Sequence, residues 1–178
     1  MPINVSQGGS HLDHFLRQTR IHHVQLSSMA DVKASLLLTM ASIVISVTIP
    51  HLTNPDLKWA SFTLIGFSLG SVILAAYSVM PKLRLPGKGK QGTPPDVDSP
   101  RFNILFFGDF LRLSYEDFER KMGEIMQSPG TTYEVQIREV YNLGLYLATK
   151  KFRFIKLAYV SFILGLVISS GVLLATML

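Results

Sequence analysis

The sequence lacks cysteine altogether and is poor in charged residues. The absence of cysteine excludes disulfide bonds, thiol catalysis and any cysteine-ligated zinc or iron–sulfur site. Only 16% of the 178 residues are charged, whereas a soluble domain of this length typically carries about 25%. Hydrophobic residues make up 48% of the chain, so a membrane protein is the first class to consider.

Three windows contain no Lys, Arg, Asp or Glu at all: residues 34–55, 59–81 and 157–178. A bilayer core about 30 Å thick is crossed by about 20 helical residues, which is close to the length of each window. We therefore predict three transmembrane helices, at residues 34–49, 59–80 and 157–177.

Basic residues flank the long segment between the second and third windows. They are Lys82, Arg84, Lys88 and Lys90 on one side and Lys150, Lys151, Arg153 and Lys156 on the other. Lys and Arg near the ends of spans stay in the cytoplasm. The N-terminus is then also cytoplasmic, whereas the loop 50–58 and the C-terminus are external. We attribute the net charge of +5 to this topology and expect no binding of nucleic acid.

The segments outside the windows are predicted to be helical or irregular. Residues 10–33 have the apolar spacing of an amphipathic helix, which the pair Ser10 and Asp13 would cap and which would continue into the first span. Residues 1–9 are expected to form a disordered tail, and 81–100, rich in Pro and Gly, a flexible cytoplasmic loop.

Residues 101–156 are predicted to form a cytoplasmic helical region. Two capping pairs, Ser114 with Asp117 and Thr131 with Glu134, open helices there, and the second helix would run on into the third span. No segment of convincing length alternates as a strand does. The predicted fold class is an all-α membrane protein, in which three transmembrane helices carry long cytoplasmic helical extensions.

The residues that would support catalysis or metal binding do not form a recognised pattern. His11, His14, His22 and His23 have only Asp13 as a nearby carboxylate, so we interpret them as interface histidines rather than metal ligands. No Ser-His-Asp spacing, P-loop or HExxH motif occurs. We expect a protein that is not an enzyme and has no catalytic residues, metal or cofactor.

Small and hydroxyl-bearing residues recur along single faces of the predicted spans. They are Ser35, Thr39, Ser42 and Ser46 in the first, Gly66 and Gly70 in the second, and Ser161, Gly165 and Ser169 in the third. Such residues allow close helix contact in lipid. Two interpretations remain open: ordinary packing of the bundle, or an oligomer interface that rearranges into a leak or pore.

The cytoplasmic region also carries cations and aromatic rings. Arginine combined with an aromatic ring suits the phosphate and base of a nucleotide, although a solvated or membrane-facing charged surface would look the same. The candidate residues are Arg101, Arg112, Arg120, Lys121, Arg138, Lys150, Lys151 and Arg153, with rings at Phe107, Tyr115, Tyr133 and Tyr141.

Asp31 and Lys33 stand at the cytoplasmic mouth of the first span. A carboxylate at such a position is costly unless it is paired. We expect Arg153 or Lys150 to be the partner of Asp31. The pair would either stabilise the structure or act as a latch that couples to the spans.

Three segments together resemble a known family, the Pycsar transmembrane effectors. They are MADVKASLLLTMASIVIS (29–46), NILFFGDFLRLSYEDFERKM (103–122) and EVYNLGLYLATKKFRFIKLAYVSFILGL (139–166). The resemblance covers roughly residues 24–173. It implies an antiphage effector that responds to cyclic CMP or cyclic UMP from a partner cyclase, impairs the inner membrane and causes abortive infection.

The resemblance also implies a nucleotide site, although no β-rich nucleotide-binding domain is predicted. The site would then be built from helices, between protomers of a homo-oligomer. We expect Arg153 and Lys150 to contact phosphate, with Lys151 and Arg112 nearby, and Tyr141 or Phe107 to stack on the base. The alternatives are a messenger-independent channel or pore former, and a membrane scaffold that docks a cytosolic partner.

Overall fold

The structure, a computed structural model, describes residues 8–80 and 102–177, together with Val97 and Ser99. Most of the predicted tail and loop, including Lys82, Arg84, Lys88 and Lys90, lies outside the described residues, and so does Arg101 of the predicted helical region. Within the described ranges every regular element is helical and no strand occurs, which confirms the predicted all-α class.

Six α-helices are described, and they are labelled α1 to α6 along the chain. They are α1 (Ser10–Thr48), α2 (Lys58–Val79), α3 (Phe107–Phe110), α4 (Tyr115–Met126), α5 (Pro129–Tyr146) and α6 (Arg153–Met177). A 3₁₀ segment, Ile49–Thr53, follows α1, and a π-helical segment, Leu147–Phe152, joins α5 to α6. Three helical runs, Ser10–Thr53, Lys58–Val79 and Pro129–Thr176, are long and apolar enough to cross a membrane, as predicted.

The helix boundaries agree with the capping signals in one case and differ in two. The Ser114 hydroxyl accepts a hydrogen bond from the Asp117 amide at 3.1 Å, so this cap begins α4 as predicted. Ser10 is instead the first helical residue, and the carbonyl of Gly9 accepts from the amides of Leu12 and Asp13. Helix α5 begins at Pro129, before the predicted pair, because proline suits the first turn of a helix.

The chain divides into two compact units. Unit 1 comprises residues 1–24 and 81–145, and unit 2 comprises residues 25–80 and 146–178. In unit 1, buried Phe102, Ile104 and Ile125 form the core. The hydroxyl of buried Tyr133 donates to the Asp13 carboxylate at 2.7 Å and accepts from the Gly9 amide at 3.3 Å, which ties α5 to the start of α1.

Unit 2 is packed through small side chains. Its core includes Leu37, Ile155 and Phe162 and five buried alanines: Ala30, Ala34, Ala41, Ala75 and Ala158. Alanine lets helix backbones approach closely, and this is how helices associate where lipid removes the usual hydrophobic driving force.

Helices α2 and α6 are joined by hydroxyl groups that donate to backbone carbonyls of the opposite helix. Ser71 donates to Ala158 at 2.9 Å, Ser161 to Phe67 at 3.1 Å and Ser169 to Ala60 at 2.9 Å. A Cβ on Gly165 would stand 2.5 Å from Cβ of Phe67, so this glycine is required for the observed approach.

Among the predicted packing residues, Ser161, Gly165 and Ser169 contact α2 within one chain. A Cβ on Gly70 would lie 3.4 Å from the Ser161 hydroxyl, whereas one on Gly66 would meet no atom within 4 Å. The hydroxyl stripe of α1 (Ser35, Thr39, Ser42 and Ser46) is exposed in the single chain. An oligomer built on that stripe stays a prediction.

The only tryptophan of the chain, Trp59, stands near the start of α2 and is 64% exposed. The ammonium of Lys58 lies 6.0 Å from the centroid of its ring. An exposed amphipathic ring beside a lysine at the end of an apolar helix is typical of a membrane–water interface.

Candidate functional site

Unit 1 contains a cavity of about 530 Å³ between α1, α4 and α5, which we call the larger cavity. Its apolar lining consists of Leu16, Leu105, Met122, Ile125, Met126, Val135 and Val140. Its polar lining consists of Asp13, Arg17, Arg20, Thr132, Gln136 and Glu139. The cavity thus joins an apolar floor to a group of charged side chains contributed by α1 and α5.

The charged groups of the larger cavity are unequally paired. The Arg20 guanidinium lies 3.2 Å from the Glu139 carboxylate, whose side chain is only 13% exposed. The Asp13 carboxylate accepts from Tyr133. Arg17 forms no ion pair with any residue within the described ranges, so its guanidinium is available to an anion.

Burial raises the pKa of the Glu139 carboxyl above its ordinary value of 4.5, and the nearby Arg20 offsets part of that shift. Between the ordinary and the folded pKa, the folded state binds more protons than the unfolded state, so stability falls as pH rises through this window. Since glutamine does not titrate, we expect the melting temperature of a Glu139→Gln variant not to fall as pH rises through this window. The measurement is thermal unfolding of both proteins in detergent over a pH series from 4.5 upward.

A matched control for this prediction is Glu119→Gln, which removes an exposed carboxylate from α4. It should retain the pH dependence of the unaltered protein. A Glu139→Gln protein with the same pH dependence as the unaltered chain would show that Glu139 does not cause it.

A smaller cavity of about 200 Å³ lies over the core of unit 1, where Phe102, Asn103, Ile104 and Ile125 line it with parts of α4 and α5. It also contains two cations, Lys121 and Arg138. Lys121 lies 3.2 Å from Glu124, and Arg138 lies 2.9 Å from Glu134. Both glutamates line the same cavity, so each cation there has a carboxylate beside it.

The structure places three predicted nucleotide-binding residues of unit 1, Phe107, Arg112 and Tyr141, outside both cavities, whereas the candidate cations Lys121 and Arg138 line the smaller one. Phe107 is 47% exposed in α3, with its ring centroid 5.0 Å from that of Phe106, and Tyr141 is 68% exposed on α5. Arg112 is exposed just after α3. None of the three lines the larger or the smaller cavity.

The predicted residues of unit 2 include an ion pair whose lysine is buried. The Lys151 ammonium, in the π-helical segment, lies 2.7 and 2.8 Å from the two Asp31 carboxylate oxygens and 2.7 Å from the Ser27 hydroxyl. The lysine side chain is 8% exposed and the aspartate 48%. Lys33 contributes its backbone carbonyl, which accepts from the Tyr159 hydroxyl at 3.1 Å.

The expectation that Arg153 or Lys150 pairs with Asp31 is wrong. Lys151 precedes buried Ile155 by four residues and therefore continues the buried face of α6, whereas Lys150 and Arg153 point off that face and are exposed. A phosphate that bound Lys151 would have to displace the Asp31 carboxylate.

Sequence reasoning missed the polar lining of the larger cavity. Arg17 and Arg20 are three residues apart, a spacing that puts both side chains on one side of α1. That spacing was the available signal, although nothing in the sequence places α5, with Gln136 and Glu139, opposite them.

Three apolar helices able to cross a membrane, together with a charged helical unit that contains a cavity, define an α-helical membrane protein with a candidate ligand-binding unit. The chain belongs to the Pycsar effector family, because the profile described as the Pycsar effector protein domain matches residues 14–178. This is an antiphage defence family whose signal is a cyclic nucleotide made by a cyclase. No curated protein and no solved structure matches the chain.

Proposed function

We propose that this protein is a membrane effector activated by cyclic CMP or cyclic UMP from a partner cyclase. Activation impairs the integrity of the bacterial inner membrane and causes abortive infection. The observation that carries the proposal is the family match over residues 14–178, which includes both the charged unit and all three apolar helices. The protein acts by binding and conformational change, without catalysis, metal or cofactor.

The mechanism is a shift between two populations of the effector. The nucleotide binds an active state more tightly than the resting state, and it can shift the equilibrium only by that difference in affinity. The helical runs Ser10–Thr53 and Pro129–Thr176 each contribute residues to both units, so each is a covalent route by which a change in unit 1 reaches an apolar helix. The active state is a homo-oligomer.

The proposed topology rests on the basic residues that flank the apolar helices. The exposed Lys150 precedes α6 and the exposed Arg153 begins it, whereas residues 50–58 carry only Asp56 and Lys58 as charged residues. By the positive-inside rule, the N-terminus faces the cytoplasm and the C-terminus faces outward.

A second candidate function is a channel that opens without a messenger. The exposed hydroxyl stripe of α1 favours it, because hydroxyls on the outer face of an apolar helix could line a pore between several copies. Such a channel would leak without any nucleotide, and this separates the two functions experimentally.

The test combines calorimetric titration of the detergent-purified protein with dye leakage from liposomes that contain it. We expect saturable binding of cyclic CMP or cyclic UMP, no binding of cyclic AMP or cyclic GMP, and leakage only after the bound nucleotide is added. Leakage without nucleotide would favour the channel instead. Absence of binding to all four nucleotides would contradict the messenger-activated function.

A further inference from the structure

The larger cavity of unit 1 has the size of a small-molecule site. Ligand pockets typically measure about 300–1,000 Å³. The larger cavity, at about 530 Å³, falls within that range, and the smaller one, at about 200 Å³, falls below it. A cyclic nucleotide therefore fits the larger cavity better on volume alone.

The cations of the larger cavity suit a phosphate. Arg17 and Arg20 stand three residues apart on one side of α1, and a guanidinium matches the oxygens of a phosphate with two parallel hydrogen bonds. Arg17 has no acidic partner among the residues that the structure describes. In the smaller cavity both cations are paired with carboxylates, whereas in the larger cavity only Arg20 is.

The opposite wall of the larger cavity suits a flat ring. Met122 and Met126 present thioethers, which pack favourably against aromatic rings. The Gln136 amide offers both a donor and an acceptor, and it forms no hydrogen bond with any residue in the described part of the chain. The pairing edge of a pyrimidine likewise presents a donor and an acceptor side by side.

We propose that the activating cyclic nucleotide binds in the larger cavity, with its phosphate on Arg17 and Arg20 and its base against Gln136. This assignment rests on the proposed function and replaces the predicted site between protomers with one inside a single chain. Because Arg20 already lies against Glu139, the phosphate competes with that carboxylate for the guanidinium. Binding therefore alters a contact between α1 and α5, and this is the change that the nucleotide introduces.

The experiment titrates the full chain in detergent with the four cyclic nucleotides and compares single variants. We expect Arg17→Ala and Arg20→Ala each to weaken binding of the preferred nucleotide about ten- to a hundredfold, the loss typical of one charged hydrogen-bonding partner. Gln136→Met keeps the size of the side chain and should weaken binding of the preferred nucleotide, because the base then loses its hydrogen-bonding partner. Arg17→Lys, which keeps the charge but loses the two-pronged geometry, should fall between Arg17→Ala and the unaltered protein.

The matched control is Arg120→Ala, which removes an arginine that is 61% exposed on α4 and lines neither cavity. It should bind as the unaltered protein does, and a melting curve of each variant checks its folding. If the unaltered protein binds a nucleotide and folded Arg17→Ala and Arg20→Ala bind equally well, the assignment is overturned while the proposed function stands. If Arg138→Ala abolishes binding instead, the smaller cavity is the site. If the unaltered protein binds none of the four, both proposals fail.

Discussion

An Asp31→Asn variant is expected to be less stable than the unaltered protein by about 3 kcal/mol, since it leaves the buried Lys151 ammonium without its counter-charge. The value lies at the low end for a broken buried pair because the Asp31 side chain is 48% exposed. For a chain of this size, each kcal/mol corresponds to about 2–4 °C, so the melting temperature should fall by about 6–12 °C. Thermal unfolding in detergent, followed by circular dichroism, measures this.

Because the two side chains of the pair are unequally buried, the two single variants should lose different amounts of stability. Lys151→Met removes the buried charge and leaves Asp31 half in solvent, so it should cost about 1 kcal/mol or less. The double variant Asp31→Asn/Lys151→Met should then be more stable than Asp31→Asn alone. Equal losses of stability in Asp31→Asn and Lys151→Met would refute the inference that the lysine is destabilising when it is left without its counter-charge.

Gly165→Ala is expected to disrupt the contact between α2 and α6. The new Cβ would lie 2.5 Å from Cβ of Phe67 and 3.3 Å from its Cγ, so the backbones must move apart. Overpacking of this kind costs about 1–3 kcal/mol, and separation would also lengthen the neighbouring bond from Ser161 to the Phe67 carbonyl. A lower melting temperature and faster proteolysis in detergent are the expected readouts.

The matched control is Gly66→Ala, the same substitution in α2 at a position where a Cβ would meet no atom within 4 Å. It should leave the melting temperature unchanged or raise it slightly, because alanine is the better helix former. If Gly165→Ala and Gly66→Ala have the same melting temperature, close packing at Gly165 does not stabilise the contact between α2 and α6.

The sequence was most informative where one physical requirement acts on a whole segment. A bilayer excludes charge from about 20 successive residues, so the three apolar helices were visible as windows without Lys, Arg, Asp or Glu. Small residues at intervals of four likewise indicated close helix contact at Ser161, Gly165 and Ser169, although the pattern left open whether the contact lies within one chain or between copies. Both are repeated patterns, and repetition is what a single sequence shows.

Pairings between distant segments were not predictable in the same way. The partner of Asp31 lies 120 residues away, and three cations within four positions were equally plausible by charge. Lys151 differs from Lys150 and Arg153 in that it lies four residues before the buried Ile155, on the same face of the helix. The larger cavity was harder still to predict, because α1, α4 and α5 each supply only part of its lining.

The single tryptophan gives this protein an intrinsic optical reporter. All tryptophan emission comes from Trp59, near the start of α2, so excitation at the red edge of the aromatic absorption leaves the tyrosines and phenylalanines silent. Its ring is exposed, and lipids that carry a quencher at a known depth can therefore reach it. Fluorescence of the unlabelled, unmutated protein in liposomes thus reports the immersion of one defined helix end, before and after a nucleotide is added.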